Sequence, residues 1–398
     1  MKNKNDFRSF FPIFKKHPEL VYFDTATTSL KPRSMIKALT NFYNDNGLSV
    51  RNFGPLCVEN LEDIQRIKQK TALFLKADLE EIIFTKSATE SLNIISQVLS
   101  SLIEPGDEII TSVLEHNSSL FPWMKIANKK KAHLVFVPLD EENKIQMHNL
   151  KKVVTEKTKI IVLNHISNVL GYENPVKEIT FLAHQKNILV VLDAAQSVGH
   201  IPLDVKNLDI DFMAFSTHKI YGPFGLGVLF GKKKYLNQFE PPFVGGGSVE
   251  DVKKNKFILH NSSLKWEAGT PNVSGIIAWE KSLDFINKIG LKTIHEHEKN
   301  ITQKIAQQLK TIKQIKIINP GANNIINFKF ENLHSHDVEN FLIQDNIYVR
   351  TGKHCANLAL DQIKEKSTVR ISVGIHNNEN DIQILMKSLL KLQNFFYS

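Results

Sequence analysis

Short apolar runs alternate with amphipathic segments along the chain from Val21 to about Asn261. Between the apolar runs, segments such as 90–102 and 176–187 place apolar residues at helical spacing. Strands that are apolar almost throughout and are separated by helices are typical of a mostly parallel sheet with helices on both faces. The sequence therefore predicts an α/β fold with binding sites where strands end and loops begin. The predicted strands are 81–84, 107–112, 133–139, 159–167, 188–195 and 212–216.

The pattern changes after residues 264–272, "LKWEAGTPN". This second part predicts a smaller α+β domain, formed by residues 1–20 and 265–398, beside a large domain formed by residues 21–264. The sequence contains no internal repeat and no flexible linker, so we expect the two domains to pack closely. In order, the second part contains a long helical region at 274–312, strands at 316–319 and 323–330, a helix at 336–344, strands at 348–352 and 367–374, and a helix from Glu379.

Composition and charge narrow the functional classes. Of 398 residues, 42% are hydrophobic and 23% are charged, which is typical of a soluble globular protein. The net charge of +9 comes from lysines scattered along the chain and not from a basic arm, so we expect no nucleic-acid partner. The short lysine runs 129–131 and 232–234 fit either solvated loops or a docking patch for an acidic partner.

No apolar run in the sequence reaches the roughly 18 residues of a transmembrane helix, so we expect no membrane partner. The first 20 residues are basic and aromatic but lack a signal-peptide core, which favours a packing arm of a cytoplasmic protein. The two cysteines, Cys57 and Cys355, are too few for a disulfide framework or a cysteine-rich metal site. We therefore expect no bound metal.

A lysine with unusual surroundings stands in "FMAFSTHKIYGPFGLGVLF", residues 212–230. Lys219 follows a predicted apolar strand and precedes a glycine-rich run. These neighbours would desolvate the amine, lower its pKa and make it a nucleophile toward aldehydes. Pyridoxal phosphate enzymes need such a lysine, a carboxylate for the pyridinium nitrogen and a phosphate site.

Asp193 is the candidate for the carboxylate because it closes the strand "ILVVLDAA". An acid at this place can also cap a turn. Gln196, three residues further on, would reach the same ring from the side.

Two segments are candidates for the phosphate site. In "TKSATES", residues 85–91, a strand ends and a helix begins, so free amides near Ala88 together with Thr89 make an anion site. The same letters also fit an ordinary capping box. Ser216 and His218, on either side of Thr217 and just before Lys219, are the second candidates.

Two further polar residues follow predicted strands. His116, in "LEHNSSLFPW", could stack on a planar cofactor and move protons, or it could be structural. Asn168, in "HISNVLG", could donate to a phenolate oxygen, or it could belong to a turn.

The segment "YVRTGKHCANLAL", residues 348–360, carries a candidate nucleophile. Cys355 follows Arg350, Lys353 and His354, and these cations would favour its thiolate. A small buried apolar role for the cysteine fits the spacing equally well. Arg370, in "STVRISVG", could bind a substrate carboxylate through two hydrogen bonds.

Together these motifs resemble the class V aminotransferases, which are fold-type I pyridoxal phosphate enzymes, and among them the cysteine desulfurases. The resemblance extends from "VYFDTATTSLKP" (21–32) to "VRISVGIHNN" (369–378). "STHKIYGPFGLG" is similar to the cofactor-lysine signature, "DAAQS" to the pyridine-nitrogen motif and "EAGTPN" (267–272) to a phosphate loop supplied by a second subunit. "RTGKHCA" is similar to the type II, SUF-associated desulfurases.

The resemblance implies a role for each candidate residue. Lys219 would hold pyridoxal 5'-phosphate, Arg370 and Arg350 would bind L-cysteine together with Asn168, and Cys355 would accept sulfur as a persulfide. The sulfur would pass to an acceptor protein for iron-sulfur cluster assembly, and the enzyme would be a homodimer. The remaining cofactor contacts implied are Ala88, Thr89, His116, Asn168, Asp193, Gln196, Ser216, His218 and, from the second subunit, Thr270.

The sequence departs from the family pattern at Lys353, Leu358, His376 and residues 49–54. These departures leave open the choice between cysteine and selenocysteine, the sulfur acceptor and the turnover rate. The alternative functions are another class V reaction, such as that of a selenocysteine lyase, transaminase or epimerase, and a non-catalytic assembly scaffold. A transaminase has no use for a thiolate at position 355.

Overall fold

The computed structural model describes residues 7–320 and 322–397, so part of the predicted N-terminal arm, residues 1–6, lies outside the described residues. The strands are β1 (Val21–Tyr22), β2 (Ile82–Thr85), β3 (Glu108–Thr111), β4 (His133–Phe136), β5 (Thr158–Asn164), β6 (Leu189–Asp193), β7 (Phe212–Ser216), β8 (Gly227–Gly231), β9 (Val249–Lys253), β10 (Lys256–Leu259), β11 (Ile315–Ile317), β12 (Ile325–Phe330), β13 (Ile347–Tyr348), β14 (Arg350–Gly352) and β15 (Thr368–Ser372). The helices are α1 (Ile13–Lys16), α2 (Arg33–Asp45), α3 (Pro55–Leu75), α4 (Ala88–Leu99), α5 (Asn117–Lys130), α6 (Met147–Val153), α7 (Val176–His184), α8 (Val205–Leu208), α9 (Lys233–Gln238), α10 (Val273–Ile289), α11 (Leu291–Leu309), α12 (Ser335–Gln344), α13 (Asn357–Gln362) and α14 (Glu379–Tyr397).

The largest sheet has seven strands in the order β2-β8-β7-β6-β5-β3-β4. Strands β3 to β7 pair in parallel, whereas β8 runs antiparallel to both of its neighbours, β2 and β7. Alternate residues along a strand face opposite sides of a sheet. Ile161 and Leu163 of β5 accordingly pack into one apolar core and Ile160 and Val162 into another. The predicted α/β fold with a mostly parallel mixed sheet is confirmed.

Each of the six predicted strands of this sheet overlaps an observed strand. Sequence reasoning missed β8 and the hairpin β9–β10. Gly227 and Gly231 are the first and last residues of β8 and shorten its apolar pattern. Most residues of the β9–β10 hairpin are exposed, so they have no apolar strand pattern. The helical region predicted for 274–312 is two helices, because Gly290 adopts φ +87° between α10 and α11.

A second, antiparallel sheet has the order β11-β12-β15-β14. Val21 and Tyr22 of β1 pair in parallel with Ile347 and Tyr348 of β13, next to this sheet. Helix α10 comes after residue 264 but packs against the seven-stranded sheet, in an apolar core that includes Trp279. The division into residues 21–264 and the two flanking segments stays a prediction.

Candidate active site

A cavity of about 240 Å³ lies at the ends of the strands of the large sheet, where side chains from both sheets meet. The structure brings almost all of the predicted site residues to this one cavity. Thr270 is the exception: it is exposed, and the cavity lining does not include it. The predicted residues that line the cavity are Ala88, Thr89, His116, Asn168, Asp193, Gln196, Ser216, His218, Lys219, Arg350, Cys355 and Arg370.

Lys219 ends a single 3-10 turn, Thr217–Lys219, that follows β7 directly. Burial lowers the pKa of this amine to about 8, although the charge of Asp193 acts in the opposite direction. Arg370 and Arg350 lower the pKa further. The amine therefore gives up its proton far more readily than an ordinary lysine, which favours a nucleophile toward an aldehyde.

Asp193 is the last residue of β6 and Gln196 follows three residues later; both line the cavity. The Asp193 carboxylate is buried and accepts a hydrogen bond from the Ala195 amide at 3.0 Å. Burial raises the pKa of Asp193, and the nearby Lys219 opposes this shift. Gln196 donates to the carbonyl of Ala26 at 2.9 Å, whereas its Oε1 is buried without a hydrogen-bond partner. An unpaired buried acceptor in a cavity is consistent with a missing polar ligand.

His116 precedes α5 and caps it, since its Nδ1 accepts a hydrogen bond from the Ser118 amide at 3.1 Å. Burial lowers the pKa of His116 to about 3, and Lys219, Arg370 and Arg350 act in the same direction. The imidazole is thus neutral, with its proton on Nε2 because Nδ1 is an acceptor. A neutral ring suits stacking on an aromatic cofactor.

The start of α4 lies at one end of the cavity. The Ser87 hydroxyl caps the helix, and the Ala88 amide donates to the Ser216 hydroxyl at 2.7 Å. Thr89 and Ser118 share a hydrogen bond of 2.8 Å beside them. Gly227 of β8 permits this arrangement, because a Cβ there would lie 2.5 Å from the Ser87 backbone. Amides and hydroxyls at a helix N-terminus suit a phosphate group.

Two arginines enter the cavity from the second sheet. Arg350 of β14 and Arg370 of β15 are directly opposite partners, so their side chains lie on one face. Arg370 donates to the Asn168 carbonyl and to Asp24, and both distances are 3.0 Å. Both arginines donate to the Thr27 hydroxyl at 3.0 Å. This pair of guanidinium groups, of which Arg370 is buried and Arg350 is partly exposed, is suited to a carboxylate.

Cys355 is exposed at the mouth of the cavity, 3.5 Å from the Arg350 guanidinium. The cysteine and His354 both have positive φ angles, +54° and +53°, which non-glycine residues rarely adopt. Hydrogen bonds hold this conformation: the Asn117 amide donates to the Cys355 carbonyl at 2.8 Å and Asn168 donates to the His354 carbonyl at 2.9 Å. Unusual backbone of this kind is concentrated at functional sites.

The prediction that His354 is one of the cations beside Cys355 is wrong. Its side chain is buried and its Nε2 pairs with the Thr368 hydroxyl at 2.8 Å. Burial lowers the pKa of His354 well below its usual value, so the ring is neutral. Sequence reasoning also missed Asp24 and Thr27. They contact Arg370 and Arg350, which lie more than 320 positions further along the chain. The only sequence signal for them is their place in "VYFDTATTSLKP".

The cavity combines a lysine of lowered pKa, a buried carboxylate, a helix N-terminus and two arginines, a set that fits pyridoxal phosphate. A family model for the class V aminotransferases matches residues 21–385, and the chain belongs to this family. The chain is similar to a probable cysteine desulfurase of Halalkalibacterium halodurans, with 35% identity over 99% of each chain.

Two solved structures have the same fold across the whole chain. The apo cysteine desulfurase of Thermococcus onnurineus NA1 aligns with a TM-score of 0.95 and 31% identity, over 100% of this chain and 99% of that one. The cysteine desulfurase CsdA of Escherichia coli aligns with a TM-score of 0.93 and 30% identity, over 99% of each chain. Among the described residues, no helix is long and apolar enough to span a membrane.

Proposed function

We propose that this protein is a cysteine desulfurase, which converts L-cysteine to L-alanine and keeps the sulfur as a persulfide on Cys355. The observation that carries the proposal is the position of Cys355, an exposed thiol at the mouth of the cavity that Lys219 and Asp193 line. A transaminase or epimerase would need the lysine and the carboxylate, but not the thiol. The thiol therefore favours sulfur chemistry within this family.

When bound, pyridoxal phosphate supplies an electron sink for the substrate's Cα carbanion. Asp193 would face the pyridine nitrogen, His116 would stack on the ring, and the start of α4 would bind the phosphate, joined by Ser216 and His218. The neutral Lys219 amine would remove the Cα proton of the substrate, because its lowered pKa suits a base near neutral pH.

Arg370 would bind the substrate carboxylate and Arg350 would stand next to it, on the side of Cys355. The Cys355 thiolate then attacks the sulfur of cysteine, so that an S–S bond forms and the substrate's C–S bond breaks. The electron pair of the broken bond stays with carbon, which takes up a proton and leaves as the methyl group of alanine. Cysteine is thus reduced to alanine while the enzyme thiol becomes a persulfide, and no external oxidant is needed.

The proposal extends to a homodimer, in which Thr270 of one subunit reaches the phosphate of the other. Arg51 donates to the carbonyls of Gly246 and Gly269 at 2.6 and 2.7 Å, so the segments around these residues lie together. Exposed apolar side chains are found in the same segments, among them Phe53 and Val244. Large apolar groups on a surface are typical of an association site.

We assign the protein to the SUF-associated type of desulfurase on the basis of the "RTGKHCA" segment, which supplies Arg350 and Cys355. An acceptor protein of iron-sulfur cluster assembly would remove the persulfide sulfur at the exposed Cys355. The exposure of the Cys355 thiol gives such an acceptor access to it. A cytoplasmic location, in the compartment of an iron-sulfur assembly system, stays a prediction.

The decisive experiment compares Cys355→Ser with Cys57→Ser, because Cys57 is buried in α3 and serves as a matched control. With cysteine as substrate, Cys355→Ser should release almost no alanine and carry no persulfide, while it still shows cofactor spectral changes. A serine hydroxyl is a far poorer nucleophile toward sulfur than a thiolate. Wild-type alanine release by Cys355→Ser would refute the proposal.

A further inference from the structure

Glu115 is a fully buried carboxyl group that the proposed reaction does not use. It lies between the end of β3 and the start of α5, immediately before His116. Its Oε1 accepts two hydrogen bonds from Asn164, one from the backbone amide at 2.8 Å and one from Nδ2 at 2.7 Å. Asn164, the donor of both hydrogen bonds, lines the cavity.

Asn164 is the last residue of β5, directly opposite Asp193 of β6. The next residue, His165, donates its amide to the Asp193 carbonyl at 2.8 Å. Glu115 therefore connects two parts of the cofactor site, since the His116 loop is joined through it to the strand end beside Asp193. A shift of this carboxyl would move the residue that stacks on the ring relative to the residue that faces its nitrogen.

The surroundings of Glu115 do not support a negative charge. Its Oε2 is buried and makes no hydrogen bond, although the Ser119 hydroxyl lies near the carboxyl, and no cation acts on the carboxyl among the described residues. A second carboxyl, Asp193, acts on it from β6. Two buried carboxylates close together cannot both ionise at low cost. Asp193 is the one with compensation, from Lys219 and the Ala195 amide.

Burial raises the pKa of Glu115 to about 8, and the charge of Asp193 adds to the shift, while hydrogen bonding by Asn164 and Ser119 opposes it. Asp193 is the ionisable group whose charge acts on Glu115 across the packed strands. His116, the residue after Glu115, is neutral.

We propose that Glu115 is a positioning residue that works as a neutral carboxylic acid: its hydrogen bonds to Asn164 align the His116 loop with β5, and its neutrality leaves Asp193 as the single charged carboxylate beneath the ring. The inference rests on the proposed cofactor site. It adds a requirement that the sequence motifs do not contain, namely that the acid next to the stacking histidine must stay protonated while the acid on β6 is ionised.

The first test is infrared spectroscopy of the full-length apoprotein at neutral pH. The difference spectrum between wild type and Glu115→Gln should show the carbonyl stretch of one protonated carboxylic acid, lost in the variant. Glu280→Gln is the matched control, because Glu280 is also buried but pairs with Arg66 and Lys70. It should remove no such band. Absence of the band from the Glu115 difference spectrum would overturn the proposal.

The second test is the pH dependence of apoprotein unfolding. Between the ordinary glutamate pKa and about 8, the folded protein keeps the Glu115 proton and the unfolded chain has lost it. The folded state binds more protons in this window, so stability should fall as the pH rises. The melting temperature of the wild type should therefore fall relative to that of Glu115→Gln up to about pH 8. A constant difference across this window would contradict a neutral Glu115.

The third test measures the affinity for pyridoxal phosphate. Glu115→Gln keeps neutrality and an acceptor for Asn164, so its affinity should stay within about threefold of the wild type. Glu115→Ala removes the acceptor and should weaken binding by roughly tenfold or more. Equal losses in both variants would overturn the positioning role. Failure of the proposed function is distinguishable, because it would appear as absent alanine release in the wild type, whatever the infrared result.

Discussion

Replacing Arg370 with lysine would test how the site binds the carboxylate of cysteine. The arginine is 2% exposed and uses its NH1 and NH2 groups to contact Asn168, Asp24 and Thr27, while its Nε has no partner. Three of the five N–H groups are therefore engaged, and the remaining two are donors for a carboxylate. A lysine at the same place keeps the charge but offers a compact ammonium group in place of the planar guanidinium.

The expected loss follows from one missing charge-assisted hydrogen bond. Such a bond contributes about 1.5–3 kcal/mol, which corresponds to a decrease of roughly tenfold to a hundredfold in kcat/KM for L-cysteine. Arg370→Gln is a less informative variant, because it would also leave Asp24 without its cation. Breaking a buried ion pair costs roughly 3–5 kcal/mol of stability, and the partial exposure of Asp24, 17% for its side chain, reduces that figure.

The assay is steady-state alanine formation over a range of cysteine concentrations, with a melting temperature for each variant. Arg33→Lys is a suitable control, since Arg33 is exposed at the start of α2, outside the cavity. It should leave kcat/KM unchanged. If Arg370→Lys folds normally and keeps kcat/KM within twofold of the wild type, Arg370 does not bind the carboxylate and the reasoning fails.

Two further predictions concern the cofactor and the dimer. Borohydride treatment should add the mass of the cofactor to the wild-type chain but not to Lys219→Ala, and an equal gain in both would exclude Lys219 as the attachment site. Light scattering should find a dimer, and Thr270→Ala should weaken pyridoxal phosphate binding several-fold, because one phosphate contact is lost. A stable monomer with full activity would contradict the dimer.

The sequence was sufficient to predict residues whose role follows from a local pattern. Asp193 ends one buried strand and Lys219 follows another, and parallel strands bring their carboxyl ends to one edge of the sheet. The strands themselves were recognisable because β5, β6 and β7 are apolar almost throughout. The exception in the large sheet was β8, where Gly227, required by the close approach to Ser87, and Gly231, packed against Leu236, remove the apolar signal.

Properties that depend on tertiary packing were not predictable. The sequence alone gives His354 the features of a cation beside Cys355, but burial against Thr368 keeps it neutral. The pairing of Arg350 with Arg370 depends on the register of two strands separated by a helix. Glu115 carries no motif of its own, because its significance comes from burial and from the contact with Asn164.

The site is assembled from two sheets, and this division has a consequence for partial damage to the protein. The large sheet and the segments that follow its strands supply the residues that would retain the cofactor, whereas the second sheet supplies Arg350 and Arg370, and the loop after β14 carries Cys355. The hydrogen bonds from Asn168 and Asn117 to the cysteine loop, and from Arg370 to the Asn168 carbonyl, are among the contacts that join the two halves. Mild denaturant or heat that disrupts the bonds to the cysteine loop would leave a coloured protein that no longer transfers sulfur. Cofactor content is therefore a poor measure of the active fraction of a preparation.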